Sequence, residues 1–442
     1  MHNIDFKKNV PIYGKYDLVV CGGGLSGVAA AICASRHGAK TLLIENTGKV
    51  GGVSVSGLLG AVSGQIMKDE EVVSGFLREL IDRCREMNVV NDMEWCAVFN
   101  PELLNHVLLE MLVEAGVELL LYTRVADARR EGERIIDVII CTGSGMRAVV
   151  APVFIDATGD GYLAYVSGCE YDMGRDSDGL TQSATLVFKI GGVKLDKVPP
   201  VTEITELWRK HGPNSVPTDH AAVKFIHHDN TDGEAVINMT HILRFNGVDN
   251  RELSRSRLEG SRQSIQILKF FRKHIEGFSG AYINASAESI GVRETRRIKG
   301  DYQLCAADVI SGTDFPDQIA RCLWSVDIHN PDGVHFGMSK HLSKSYGIPY
   351  RCITPVGISN LYMAGRPISS DHVAYSSCRI ASTGVALGEA AGVAAIMAAA
   401  SGDTRKVDVK ELQRKLRFQG AVIERKHLQK QENCNEKIKE QM

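Results

Sequence analysis

Apolar residues along the chain fall into short unbroken runs near the N-terminus and into helical spacing soon after. Leu18-Val19-Val20 leads straight into Gly22-Gly23-Gly24-Leu25-Ser26-Gly27, and an alanine-rich stretch and Thr41-Leu42-Leu43-Ile44 follow, closing on Glu45. Unbroken apolar runs are the mark of strands covered on both faces, so Tyr16 to Glu45 predicts strand, glycine turn, helix and strand. A glycine-rich loop comes next, Gly48 to Gly64, and helical spacing returns over Val72–Met87 and Pro101–Ala115. Gly116 stops the second helix, and Val117–Tyr122 predicts another strand. Alternating segments at Arg124–Arg129, Arg134–Cys141 and Met146–Val150, with turns at Glu131-Gly132 and Thr142–Gly145, predict a β meander. Val153–Ala157 then returns to the main sheet and ends in Thr158-Gly159-Asp160-Gly161.

From about Tyr162 to Ser345 the pattern changes to strands such as TQSATLVFKI and EAVINMT and a long amphipathic helix, Leu253 to Ile275. The first pattern resumes at Asn360–Ala364 (NLYMA) and Gly365-Arg366, followed by the small-residue helix Thr383 to Gly402 and a last helix at Val407–Gly420. The expected organisation is therefore a nucleotide-binding domain in two parts, residues 1–161 and 346–420, interrupted by an α+β substrate domain at 162–345. The charged stretch 421–442 is expected to be a solvated extension.

Gly22, Gly24 and Gly27 match G-x-G-x-x-G in the context that gives the motif its meaning. The first glycine permits the tight turn, the second lets a pyrophosphate reach the backbone, and the third lets helix and strand pack closely. Leu25 and Ser26 then lie at a helix start whose unpaired N–H groups favour phosphate, and Glu45 is placed to accept hydrogen bonds from a ribose. Gly143, Gly145 and Ala148 form a second formal match, but the strand-like, Pro152-interrupted segment after them offers no phosphate-binding helix.

Composition narrows the function classes. The 442 residues are 44% hydrophobic and 24% charged, with net charge −2, so neither nucleic acid nor an anionic membrane is an expected partner. MHNIDFKKNVPIYGKYD has no signal-like apolar run, and Thr383–Gly402 carries Glu389, which fits a buried helix better than a membrane span. Eleven cysteines stand singly with no CxxC pair, pointing to reduced thiols, a cytoplasmic location and no zinc or iron–sulfur site. His227-His228-Asp229 has no further ligands at metal-binding spacing and is read as surface loop; no metal is expected.

One credible dinucleotide unit favours FAD over a two-nucleotide arrangement. The chain resembles the FAD-dependent oxidoreductases related at the cofactor domain to the fumarate reductase flavoprotein superfamily. The resemblance rests on YDLVVCGGGLSGVAAA, KVGGVSVSGLLG, FIDATGDGYLAYVSG, SIGVRETRRIKGDYQL and NLYMAGRPISSDHVAYSSCRIASTGVALGEAAG, in that order. It implies a Rossmann-like FAD-binding domain of glutathione-reductase type, with Gly22, Gly24 and Gly27 on the pyrophosphate, Glu45 on the adenosine ribose and Val125 pairing its backbone with adenine. Gly51 and Gly52 would lie along the flavin, Asp160 near the pyrophosphate and ribityl chain, and Gly365-Arg366 beside the ribityl. Relatives usually carry Thr where this chain has Ser54 or Ser56. In the resembling fold the Thr383 helix points its start at the pyrimidine edge of the flavin, where the N–H groups of Thr383, Gly384 and Val385 would stabilise charge on the reduced ring.

Candidates for substrate chemistry are His372, Tyr375 and Arg379, expected on a loop before that helix, and Arg293 in the polar cluster Arg293-Glu294-Thr295-Arg296-Arg297. Histidine moves protons near neutral pH, and arginine clamps carboxylates or stabilises an anion. The cluster reads equally as a pocket-shaping pair, Arg293 with Glu294, or as an interface network. The expected activity is hydride transfer between FAD and a small organic substrate with His372 moving the proton, in a direction the sequence leaves open. The alternative is a flavoprotein subunit passing electrons to a partner protein, although such relatives carry added cysteine clusters that this chain lacks. Homo-oligomerisation is left open.

Overall fold

The computed structural model describes residues 7–93, 96–218, 223–224, 233–333 and 336–428. Its centre is a five-stranded parallel sheet in the order Leu361–Met363, Val153–Asp156, Leu18–Cys21, Thr41–Ile44, Glu118–Leu120. All four residues of Leu18–Cys21 are buried, because both faces of the sheet are covered. Leu18, Val20 and Leu43 pack into one core with the helices Leu25–Arg36 and Ala381–Ala399. Val19, Cys21, Leu42 and Ile44 point the opposite way, into a second core shared with the meander Arg124–Glu131, Arg134–Thr142 and Gly145–Val150. The two-residue alternation of strand side chains thus divides one apolar run between two layers. The meander also gains a fourth strand, Ile12–Lys15, parallel to Gly145–Val150.

The two helices on the first face touch through their backbones. A Cβ on Gly388 would lie 2.0 Å from the carbonyl oxygen of Ser26, and one on Gly392 would lie 2.3 Å from that of Ala30. Glycines four residues apart form one stripe of the helix, which explains a composition this poor in large side chains. Ala381–Ala399 is long and apolar enough to cross a membrane, with mean hydropathy 1.4, but 83% of that stretch is buried inside the protein.

Between the two parts of the parallel sheet lies a mixed unit. Its four-stranded antiparallel sheet runs Val223–Lys224, Ala235–Ile237, Phe188–Gly191, Tyr282–Ser286, and the helix Asn250–His274 covers one face. Phe188, Ile190, Ile237, Ile267 and Phe271 form a core of their own there.

Several expectations shift. Regular strand in TQSATLVFKI is confined to Phe188–Gly191, while Ala184 and Thr185 make isolated bridges to Ile242 and Gly291. The helix expected from Val72 starts at Phe76, because Gly75 turns the chain with φ +61°. His372–Cys378 is a short helix rather than a loop, since the Asp371 side chain caps it by accepting from the Ala374 amide at 2.7 Å. The start of the C-terminal extension is also docked rather than solvated. Ile423 is buried, its carbonyl accepts from Gln318 Nε2, and Lys426–His427 pairs with Glu70–Glu71. His227-His228-Asp229 lies outside the described residues.

Candidate functional site

The glycine turn sits where the parallel strand Leu18–Cys21 ends and the helix Leu25–Arg36 begins. Gly22 has φ +106°, and a Cβ there would lie 2.4 Å from the Ala157 carbonyl oxygen, so only glycine makes this turn. At Gly27 a Cβ would fall 1.8 Å from the Gly22 carbonyl oxygen. Gly24 differs: a Cβ would meet nothing nearer than Gly52 Cα at 4.0 Å. Its bareness is not needed for packing, which leaves the space above it for a ligand. The second glycine pair closes against this turn, with the Gly51 amide donating to the Gly23 carbonyl at 2.7 Å and Gly24 bridging Gly51.

Leu25 is buried, and Ser26 turns its hydroxyl to where a Cβ on Gly365 or Gly384 would intrude, at 2.6 and 2.7 Å. Opposite ends of the chain therefore converge at Ser26. Glu45 is already tied to the turn: Oε2 accepts from the Gly23 amide at 2.7 Å, and Oε1 accepts from the Thr47 amide and hydroxyl at 2.7 and 2.8 Å. Val125 is buried on the meander where the strand register slips between Val125 and Asp127.

Asp160 Oδ1 accepts from Arg366 Nη2 at 3.0 Å and from the Thr295 hydroxyl at 2.9 Å. The Ser56 hydroxyl is buried with no hydrogen-bond partner among the described residues, whereas Arg366 has the Tyr375 hydroxyl beside it and Thr383 Oγ1 the Cys322 thiol. Buried polar atoms are almost always paired, so the Ser56 hydroxyl leaves room for a polar partner.

The helix start expected at Thr383 needs correction. The helix begins at Ala381, and the Gly384 amide is already used, donating to the Ile380 carbonyl at 3.0 Å. Val385 is one position deeper still, within the helical ladder. The N–H groups left for a ligand belong to Ala381, Ser382 and Thr383.

His372, on the first turn of its helix, meets Glu294 through Nδ1 and Oε1 at 2.9 Å. Glu294 is 0% exposed; Arg297 also contacts Oε1, and Oε2 accepts from the Gln182 amide at 3.1 Å. Arg297, not Arg293, is therefore the ionic partner of Glu294 within this cluster. Arg293 Nη1 donates instead to the Ser183 carbonyl at 2.8 Å and the Thr185 hydroxyl at 2.9 Å. The Tyr375 hydroxyl donates to the Arg293 carbonyl at 3.0 Å, and burial pushes its pKa up to about 12, keeping it neutral. Arg379 Nη2 reaches the Asp327 carbonyl at 3.2 Å and its carboxylate at 3.4 Å, while Arg379 Nε is buried without a partner among the described residues.

Asp327 and His329 were missed in the sequence. They lie on one strand, Val326–His329, whose alternate residues Val326 and Ile328 face the core. Both line a cleft of about 620 Å³ together with Ile66, Met67, Trp324 and His341. A Cβ on Gly64 would lie 2.9 Å from Ile380 Cδ1, 3.5 Å from Ser382 Oγ and 3.7 Å from Trp324 Cε3, so Gly64 stands between the cleft residue Trp324 and the start of the Ala381 helix. Burial and then the nearby Arg293 charge hold His329 down at about 3, so its ring is neutral. Burial alone would raise Asp327, but His329, Arg379 and Arg293 together hold it at about 2. Burial first, and then Arg379, brings the Arg293 guanidinium down to about 9. The D-x-H alternation was the available signal, and it carried no more weight than any polar face of a strand. Among the described residues no group of three His, Cys, Asp or Glu is placed to hold a metal ion.

A family model described as FAD dependent oxidoreductase matches residues 17–416. Solved structures with a similar course include a geranylgeranyl bacteriochlorophyll reductase-like protein from Thermoplasma acidophilum, at 14% identity and a TM-score of 0.48, covering 91% of this chain and 83% of that one. A flavin-dependent brominase gives the same four values. A myxobacterial chondrochloren halogenase is 13% identical, with a TM-score of 0.45, covering 91% of this chain and 78% of that one.

Proposed function

The chain belongs to the FAD dependent oxidoreductase family, and on that premise we propose that it moves a hydride between FAD and a small organic substrate, with His372 carrying the accompanying proton. The residues suit the cofactor: an unneeded bare position at Gly24, a buried hydroxyl at Ser56 without a partner among the described residues, and a helix start with open N–H groups. Gly22, Gly24, Leu25, Ser26 and Gly27 would hold the pyrophosphate, Glu45 the ribose, Val125 the adenine, and Asp160, Gly365 and Arg366 the ribityl chain. Gly51, Gly52 and the amides of Ala381, Ser382 and Thr383 would border the flavin. FAD supplies two-electron redox chemistry when bound.

Oxidation of an alcohol or amine removes a C–H hydrogen with its electron pair and, separately, an O–H or N–H proton. Reduction of an activated double bond returns both. The protein must manage the proton in either direction. The observation that carries the reading is the contact between His372 Nδ1 and the buried Glu294 carboxylate. A carboxylate on Nδ1 keeps the proton there, so that Nε2 presents its lone pair, and it also steadies the ring once Nε2 is protonated. Arg297 in turn balances the buried carboxylate. Among the described residues Nε2 of His372 has no protein partner, and the side chain retains 11% exposure.

A cytoplasmic location goes with this reading, because the cysteines of the described residues are all free thiols. The test is anaerobic reduction of the yellow holoenzyme by a panel of alcohols, amines and hydroxy acids, with re-oxidation of chemically reduced enzyme by enoates as the reverse arm. Bleaching by one compound that slows in His372→Asn supports the reading. A flavin unresponsive in both arms, or a rate indifferent to His372, removes it.

A further inference from the structure

One wall of the cleft that holds Trp324 is a hairpin too small to stand by itself. Ile66–Met67 pairs with Glu70–Glu71 across the two-residue turn Lys68-Asp69, and Ile66, Met67, Lys68 and Asp69 all line the cleft. Both turn residues take left-handed φ, +52° and +62°, a conformation that a Cβ disfavours. A two-stranded hairpin alone is marginal in water even without that cost.

Much of what holds it comes from the segment after Gly420. Lys426–His427 adds a third strand, paired with Glu71 and Glu70. The Leu428 amide donates to the Asp69 carbonyl at 2.8 Å, at the turn itself. Behind the strand, the enclosed Glu70 carboxylate meets the Ser345 hydroxyl and lies 3.7 Å from Arg321, which is also enclosed. Arg321 Nη1 donates to Asp314 Oδ1 at 2.7 Å, and Arg425 Nη1 takes the other oxygen of that carboxylate at 3.0 Å. Arg425 Nη2 donates to the carbonyls of Gly312 and Ser345 at 2.7 and 3.0 Å. Two carboxylates and two guanidiniums are thus in balance only with Arg425 seated, and an enclosed ionic cluster stripped of one member is costly. None of these contacts involves a residue assigned to FAD.

We propose that Ala421–Leu428 is a strap that completes the substrate cleft. Arg425 and Leu428 are positioning residues: they hold the Ile66–Glu71 hairpin as a wall, and loosening them opens the cleft while FAD stays bound. The word substrate rests on the hydride-transfer reading; the wall does not.

The experiment follows hydrogen exchange in the holoenzyme, with acrylamide quenching of Trp324 taken as the difference from a Trp324→Phe background. Leu428→Pro removes the amide that reaches Asp69 and Leu428→Ala keeps it, on a side chain that is 37% exposed. Leu428→Pro should speed exchange across residues 66–71 by about 3–10-fold, the worth of one hydrogen bond, while Leu428→Ala stays near the parent. Arg425→Gln should speed it at least as much. Trp324 quenching should rise in the same two variants, with flavin occupancy and exchange in the parallel sheet unchanged. General destabilisation would instead speed exchange throughout. If Arg425→Gln fails to fold, the Leu428 pair still decides. Unchanged exchange at the hairpin, equal effects of Leu428→Pro and Leu428→Ala, unchanged Trp324 quenching, or flavin lost in step with the hairpin each overturns the assignment. A loosened hairpin in an enzyme whose flavin no compound reduces would sink the hydride reading and leave the strap standing. A compound that reduces the flavin with the same half-saturation and limiting rate in Leu428→Pro as in the parent would do the reverse.

Discussion

His372 and Glu294 meet at 2.9 Å, ring nitrogen to carboxylate, with the carboxylate wholly enclosed, its Oε1 shared with Arg297 and its Oε2 held by the Gln182 amide. The two residues come from separate stretches of the chain, and the ring's orientation depends on a neighbour that water never reaches. His372→Asn should keep its FAD and slow substrate-driven flavin reduction by about 10²–10⁴-fold, the usual range for acid–base catalysis. Glu294→Gln should slow it less, because a neutral amide keeps the contact to the ring but no longer balances its positive charge. Stopped-flow absorbance across pH separates the two. Glu294→Ala should instead lose about 3–5 kcal/mol of stability, since it strands the buried Arg297.

Gly24 and Gly388 predict opposite outcomes for the same change. Gly24→Ala places a methyl group in open space at φ −65°, so thermal stability without cofactor should stay within about 0.5 kcal/mol while FAD affinity falls. Gly388→Ala drives a methyl group against the Ser26 carbonyl and should cost about 1–3 kcal/mol with or without FAD. Calorimetry of apo and loaded protein, read beside flavin occupancy, checks both.

Glu389 is 2% exposed and accepts from the Phe76 amide at 3.2 Å. Burial raises its pKa to about 8, so the folded protein binds a proton that the unfolded chain releases from about pH 4.5 upward. The sign follows: this group's contribution to stability falls as pH rises between those values and levels off above 8. Glu389→Gln should flatten that slope and gain at most on the order of 5 kcal/mol at pH 8.5. Urea unfolding at several pH values measures it; a parallel slope in the variant would refute the assignment.

Ending the chain at Gly420 removes Val422 and Ile423 from their buried seats, the strand pairing at Glu70–Glu71, and the Arg425 contact to the Ser345 carbonyl at 3.0 Å. A loss of about 2–5 kcal/mol is expected from the two apolar side chains, visible as a lower melting temperature. An unchanged melting temperature would mean that the segment is dispensable.

Gly22 to Gly27 and Glu45 were legible because their geometry is local: strand, turn and helix lie in one short stretch. The meander was legible for the same reason. Asp327 and His329 were not, because their meaning comes from Arg379 and Arg293, which other segments bring alongside. The start of the last large helix was misplaced at Thr383, since Ile380 and Ala381 give no capping signal and the chain turns there on tertiary contacts. The Ala421 segment looked solvated because charge dominates it, and two apolar residues are enough to seat it.

The stripe Gly384, Gly388 and Gly392 presses one end of the chain onto Ser26 and Ala30 near the other. On the proposed reading neither end carries a whole nucleotide seat, and at the glycines of the seam the two helices meet backbone to backbone. Expressed as two separate pieces divided within the inserted unit, the halves would have to find each other before either turned yellow. Colour would then report their reunion, making this fold a natural starting point for a split sensor.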